Sequence, residues 1–404
     1  MTKRTNFQIE LTYGGVHASY WMSSCALTGF TAVYLDYIGF SNTQIGVTSS
    51  LVYLFSVTLQ ILVADFSDKH FSVPLKAIIA CMYAAAVLSA MFLWAPLPVA
   101  AMMLAFALAQ AFLSSIDCFI SASIMQFTNL GRPLTYGWPR SFGSVAYALL
   151  AFTLGILIEK HSPAFLIPLF MVLSVLGVVM ILLIPRPEQY ASPEALARYQ
   201  NKENPVKISY REMLSGNPTL VLLLLAILLS STGYSPSFMF AIRLFERMGG
   251  GAKNVGINSF FSASMELPAL MLSLYLAKHF KIRTLVSASI LFHFFRMLAL
   301  VMIRTPVPAY VIACFQGLNN GIYLFATLEF ANRIVRPGEQ VRAQSLLAFS
   351  KTLGSVAGNA IAGRLIDAYG LDAMYLTGAG LCLLGGVLVL LCSRSYVRQF
   401  PDET

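Results

Sequence analysis

The sequence predicts an all-α membrane protein of about twelve transmembrane helices, set in two pseudo-symmetric six-helix bundles. Three observations carry that prediction. Charged residues make up only 11% of the 404 positions and hydrophobic ones 57%, whereas soluble domains carry about 25% charged residues. A soluble chain of this length has too few charges to cover its surface. The apolar residues also gather in long runs, such as Ala77–Trp94, Phe165–Ile184, Leu220–Leu229 and Leu381–Leu391. Runs approaching ~20 residues match a hydrocarbon core of ~30 Å at about 1.5 Å per helical residue. Finally, one long polar stretch, Arg186–Asn217, divides the chain near its middle.

Taken in order, the expected spans are 12–35, 43–65, 75–95, 98–123, 138–158 and 163–184, then 218–241, 255–277, 284–303, 307–330, 343–366 and 373–393. Glycine and proline inside them are tolerated, because neighbouring helices re-satisfy freed backbone groups. The domains follow: a bundle over 1–185, a linker over 186–217 with a short helical piece at Pro193–Tyr199, and a second bundle over 218–404. Two similar halves with a binding site near the midplane are a transporter architecture.

Charge asymmetry orients the chain. Of its 27 Lys and Arg, three (Arg140, Arg296, Lys351) lie well inside spans, while eighteen lie in loops or at span ends on the side of the termini and six on the opposite side. Basic loops stay cytoplasmic, so both termini are expected in the cytoplasm, with the protein in the plasma or inner membrane. The net charge of +9 is spread over short loops and forms no basic face for nucleic acid. The six cysteines (Cys25, Cys81, Cys118, Cys314, Cys382, Cys392) show neither metal nor disulfide spacing and read as small buried thiols. No His-Glu-x-x-His, Gly-x-Ser-x-Gly or phosphate-cradling segment occurs. An enzyme is not expected, nor a cofactor, a resident metal or ATP drive.

Six charged side chains lie well inside expected spans: Asp117, Arg140, Glu266, Arg296, Glu329 and Lys351. A charge near the bilayer centre costs about 2.5–3.5 kcal/mol on insertion scales. Three acids and three bases at that depth point to paired groups facing a protein interior or a wet cavity.

Several short segments resemble the major facilitator superfamily. The loop after span two, Ala64-Asp65-Phe66-Ser67-Asp68-Lys69, is similar to its Gly-x-x-x-Asp-Arg/Lys signature at Asp68 and Lys69, with Ala64 in place of the glycine. Asn6-Phe7, Ile45-Gly46, Tyr136-Gly137-Trp138-Pro139-Arg140-Ser141-Phe142-Gly143, Met265-Glu266-Leu267, Arg296, Phe349-Ser350-Lys351 and Gly363-Arg364-Leu365-Ile366-Asp367 resemble, in order, pieces of the lactose-permease-like branch of oligosaccharide and nucleoside proton symporters. The resemblance extends over nearly the whole chain and implies the major facilitator fold.

It also implies roles. Asp117 on span four and Arg140 on span five stand where that branch holds sugar: a guanidinium fork donates, and a carboxylate accepts from hydroxyls. Tyr147, two turns after Arg140, offers an aromatic face, and His17, Tyr20 and Trp21 on span one can line the same cavity. Glu266 falls where the symporters keep a coupling acid, with Arg296 as its cation. Span ten departs from the branch. It reads Gln316-Gly317-Leu318-Asn319-Asn320, which offers polar contacts from Gln316, Asn319 and Asn320 but no titratable group. Glu329 and Lys351 form a candidate charge pair, and Asp68 with Lys69 a cytoplasmic latch.

The function implied is secondary active transport: proton-coupled symport of a neutral polar solute (sugar, oligosaccharide or nucleoside) by alternating access, with a monomer as the working unit. The second reading is a proton-driven exporter of amphipathic compounds on the same fold. Fixed charges on spans four, five, eight and nine weigh against it.

Overall fold

The computed structural model describes residues 5–70, 73–190, 210–336 and 339–399; the expected helical piece at Pro193–Tyr199 lies outside them. Every described element is helical. The first span comprises α1 (Asn6–Ser24), a π-helical turn at Cys25–Gly29 and α2 (Thr31–Tyr37). Spans two to six are α3 (Asn42–Lys69), α4 (Leu75–Met91), α5 (Val99–Asn129), α6 (Gly137–Lys160) and α7 (Leu166–Leu182). A short α8 (Tyr210–Ser215) precedes span seven, which is α9 (Pro218–Tyr234) continued by α10 (Pro236–Met239). After α11 (Ala241–Arg247), span eight is α12 (Ala252–Ser264) with α13 (Glu266–His279). Spans nine to twelve are α14 (Ile282–Met302), α15 (Pro306–Ile334), α16 (Gln340–Tyr369) and α17 (Leu371–Gln399).

Among the described residues, nine of these stretches are long and apolar enough to cross a membrane. Spans one, eight and eleven are the others, and each has a local reason. Span one is interrupted by its π-turn and carries Glu10, His17 and several hydroxyls. Span eight breaks at Met265: Pro268 has no N–H to return to the Ser264 carbonyl, so α12 ends at Ser264. Helix α16 carries Lys351 within span eleven and Arg342, Arg364 and Asp367 at or just beyond its ends. Polar spans of this kind line protein interiors rather than lipid.

Contacts divide the chain into two units, Met1–Tyr34 with Leu54–Pro205, and Leu35–Tyr53 with Val206–Thr404. The division cuts α3, whose first half packs with the second unit. Each unit has its own apolar core. In the first, Tyr13, Tyr83, Phe106, Phe127 and Phe170 are fully buried; in the second, Phe240, Phe245, Phe330 and Tyr375 are. Large apolar side chains such as Val172, Leu176 and Val179 on α7 point outward, as lipid-facing residues do.

Within the second unit, the start of α3 is pinned to the end of α16. Asp367 accepts from Asn42 Nδ2 (2.8 Å), Thr43 N (2.7 Å) and Thr43 Oγ1 (2.6 Å). Gly363 permits the approach, since a Cβ there would overlap the Asn42 carbonyl oxygen. Arg243 joins the same corner through Asn42 Oδ1 (2.7 Å), Asp36 and Glu246 (2.8 Å). Arg247 pairs with Asp372 and donates to the Leu300 carbonyl at 2.8 Å.

The cysteine reading needs a correction. Cys25, Cys382 and Cys392 are buried, but Cys81 and Cys118 are exposed and Cys314 is half-exposed. A thiol is small and apolar enough to sit on an outward helix face at little cost.

Candidate functional site

In the first unit the expected residues converge. Arg140 lies in the first turn of α6 and Asp117 past the middle of α5. Arg140 Nη1 is 3.9 Å from Asp117 Oδ1, with 25% and 32% of the two side chains exposed. That separation is an ion contact longer than a hydrogen bond, so the guanidinium keeps a donor in hand. Its Cζ sits 4.7 Å from the centroid of the Trp21 ring. Trp21 in turn meets Tyr147 edge-on at 5.9 Å and Tyr20 at 5.4 Å. The indole is seated against the backbone of α6, where a Cβ on Gly143 would overlap its Cδ1. The Tyr147 hydroxyl faces Gly29, at the end of the π-turn, where a Cβ would come to 2.9 Å.

The outcome is a guanidinium, a carboxylate and two aromatic faces in one place, with a hydroxyl pair beside them. Ser121, one turn beyond Asp117, shares a 3.0 Å hydrogen bond with Tyr136. His17 is fully buried against the edge of Tyr136 (5.9 Å), and neither of its ring nitrogens has a hydrogen-bond partner among the described residues. Such a set can grip hydroxyls through the ion pair and stack a sugar face or a base on Trp21.

Sequence reasoning missed Glu10, which orders the approach to this site. Its carboxylate accepts from Thr135 N at 2.6 Å and from Trp138 Nε1 at 2.9 Å. It thereby fixes the turn that delivers Arg140 from α6. The only signal was an acid just ahead of the expected start of span one, which reads equally well as a solvated helix start.

In the second unit the expected residues are more dispersed. Arg296, on α14, is 7% exposed and donates from Nη1 to Ser237 Oγ at 2.7 Å. Its Cζ lies 5.1 Å from the Phe238 ring centroid. It forms no ion pair with Glu266 among the described residues. Glu266 opens α13, just past the break at Met265, and is half-buried. The span-ten amides divide. Gln316 and Asn319 are buried, with Asn319 Nδ2 donating to the Ser289 carbonyl at 3.2 Å, while Asn320 is exposed on another face. Successive helical residues are about 100° apart, so neighbours such as Asn319 and Asn320 leave the helix in different directions.

The candidate Glu329–Lys351 pair is not among the ion pairs of the described residues. Glu329 bonds Arg333, one turn along its own helix, at 3.0 Å, and Lys351 forms no ion pair among the described residues. A local i,i+4 partner is in reach whatever the neighbouring helix does. Lys69 likewise bonds Asp65 at 2.7 Å on an exposed turn. Asp68 lines a cavity of about 320 Å³ with Lys76, Arg186 and Glu188.

A second group missed in sequence centres on His293, one turn before Arg296 on α14. His293, 1% exposed, stacks on Tyr234 with centroids 4.0 Å apart and meets Tyr323 edge-on at 5.8 Å. The signal was present, because a histidine inside span nine is itself an intramembrane titratable group.

Comparison with known proteins agrees with this architecture. The maltose permease of Geobacillus stearothermophilus is 25% identical over 269 residues, which is 66% of this chain. The match spans 65% of the permease's own length. Among solved structures, a mutant form of the nucleoside transporter NupG superposes with a TM-score of 0.81 at 14% identity, over 95% of this chain and 99% of that one. A bacterial homologue of the human lysosomal transporter Spinster, inward-facing and unoccupied, gives 0.72 at 14% identity over 98% and 99%. The MFS_1 like family matches residues 15–377, so the chain belongs to that family and is an integral membrane protein with the major facilitator fold.

Proposed function

We propose that this protein is a secondary active transporter: a proton-coupled symporter that carries a hydroxylated polar solute, of the sugar, oligosaccharide or nucleoside class, by alternating access. One observation carries the reading, the loose Asp117–Arg140 pair at 3.9 Å beneath Trp21 and beside Tyr147. A purely structural pair closes to hydrogen-bond distance, whereas these two side chains stay a quarter to a third exposed at 3.9 Å. A pair held open instead keeps its donors for a ligand. The maltose and nucleoside specificities of the relatives support the solute class.

In this reading Glu266 takes up and releases the coupling proton, and Gln316, Asn319 and Asn320 of span ten offer polar contacts. Asp68 and the exposed turn at Lys69 act at the cytoplasmic side. The protein works as a monomer in the plasma or inner membrane, with both termini in the cytoplasm. The test is uptake of labelled maltose and uridine into proteoliposomes under an inward proton gradient. The expected result is accumulation of one of them that collapses with an uncoupler and is abolished by Arg140→Ala. Wild-type uptake by Arg140→Ala removes the site assignment. Uncoupler-sensitive expulsion of an apolar dye, without uptake of either solute, moves the function to the exporter class.

A further inference from the structure

Arg296 is a buried cation in the second unit whose only hydrogen bond among the described residues goes to a neutral hydroxyl, Ser237 Oγ. Its Nε is buried and has no hydrogen-bond partner among those residues. Four acids of the unit are engaged elsewhere: Asp36 and Glu246 with Arg243, Asp372 with Arg247, Glu329 with Arg333. Glu266 stands half-buried at the start of α13 and shares no ion pair with Arg296. Lys351 on α16 is a second cation, and both act electrostatically on His293. Among the described residues, neither ring nitrogen of the buried His293 has a hydrogen-bond partner, nor does the buried Tyr375 hydroxyl, which feels the charge of Arg296.

Of these groups Arg296, His293 and Tyr375 are buried, whereas Lys351 is exposed. Arginine and lysine only donate, while a tyrosine hydroxyl and an imidazole N–H can donate. Buried donors without partners, around a buried cation without a counter-ion, call for an acceptor-rich anion. Arginine suits an oxyanion because its planar fork matches two oxygens.

We propose that Arg296, with His293 one turn before it on α14, binds an oxyanion group of the passenger, a carboxylate or a phosphate, so that acidic members of the solute class are preferred over neutral ones. The inference rests on the transporter reading and narrows its solute class. It also explains why span ten manages without a titratable group there: the passenger supplies the negative charge that Arg296 lacks.

The test uses the full chain in detergent, with thermal stabilisation read against concentration for acid and neutral pairs. The pairs are D-glucuronate with glucose, D-galacturonate with galactose, and glucose 6-phosphate and uridine 5′-monophosphate with their neutral parents. The expected result is that an acid stabilises at least tenfold more strongly than its parent, with an effect that weakens as sodium chloride rises. A preference for the uronates assigns a carboxylate, and a preference for the esters assigns a phosphate. Arg296→Met abolishes the preference. Should Arg296→Met fail to fold, Arg296→Lys keeps the charge without the fork and is expected to retain a reduced preference. No acid outperforming its parent, or a preference that survives in Arg296→Met and Arg296→Lys alike, overturns the proposal. Binding of a neutral parent that is lost in Arg140→Ala then leaves the transporter reading standing by itself.

Discussion

Arg140 lays its guanidinium over the indole of Trp21, 4.7 Å from the ring centroid, and Gly143 gives the indole its seat against α6. A cation over an aromatic face is worth about 0.5–2 kcal/mol, more as it is desolvated. Gly143→Ala adds a methyl where the Trp21 ring now stands, so the indole must move off the guanidinium. The expected outcome is a solute affinity lower by roughly 3–30-fold, converting that energy at about 1.4 kcal/mol per tenfold. Isothermal calorimetry on the purified protein checks it. The tryptophan emission should shift as well, since the ring is displaced. A Gly143→Ala protein with unchanged affinity would show that Trp21 only packs.

Glu266 tests coupling separately from binding. A carboxylate that takes up a proton when buried and releases it beside a cation links solute movement to the proton gradient. Glu266→Gln keeps the shape and removes the titration. We expect solute exchange across proteoliposomes to continue at near wild-type rate, while accumulation against a gradient falls to the level of equilibration. Accumulation that stays sensitive to the uncoupler in Glu266→Gln assigns the proton to another group.

Glu10 concerns the approach to the site rather than the site itself. Its two oxygens accept from Thr135 N and Trp138 Nε1, and the side chain is 8% exposed. Hydrogen bonds to a charged group contribute about 1.5–3 kcal/mol. Glu10→Ala should lower the thermal midpoint by several degrees and weaken solute binding, because the turn before Arg140 loosens. Glu10→Gln should restore only part of this. Its amide has one oxygen to accept with and turns an N–H toward the second donor. Equal stability of the glutamine variant and the wild type would mean that one of the two bonds contributes nothing.

How much was legible in the sequence follows from what each feature depends on. The spans were legible because hydrocarbon thickness imposes a length and a composition on every one of them. Asp117, Arg140 and Tyr147 were legible because charge and aromaticity inside a span are rare enough to stand out. Partner choice was not. Glu329 had Lys351 in prospect and Arg333 in the next turn of its own helix, and the near partner won. Lys69 found Asp65 by the same rule. The division of α3 between the two units was beyond any pattern reading, because it depends on Gly363 and Asp367, over three hundred residues away in the chain. The stack of His293 on Tyr234 joins two spans whose rotations no sequence period fixes.

Asp367 gives the α3–α16 corner a pH dependence whose sign can be worked out. Burial raises its carboxyl, but hydrogen bonds from Thr43 and Asn42 outweigh that and hold it below the ordinary carboxylate value. A carboxyl lowered by folding adds stability that is complete above the unfolded value of about 3.9 and is lost as pH falls through the lower folded value. Asp367→Asn removes this contribution. It keeps one acceptor oxygen and places an amide N–H against a donor. The variant should therefore melt lower than wild type at pH 7, by about 1–3 °C, since the group is exposed and solvent screens it. The difference should shrink as pH falls below about 4, where the carboxyl of the unfolded chain takes up its proton first and that of the folded protein follows at lower pH. Melting curves from pH 7 to pH 3 test this directly. A difference that stays constant across the range would show that the Asn42 and Thr43 contacts act through packing at Gly363, and that the charge on Asp367 contributes nothing to holding α3.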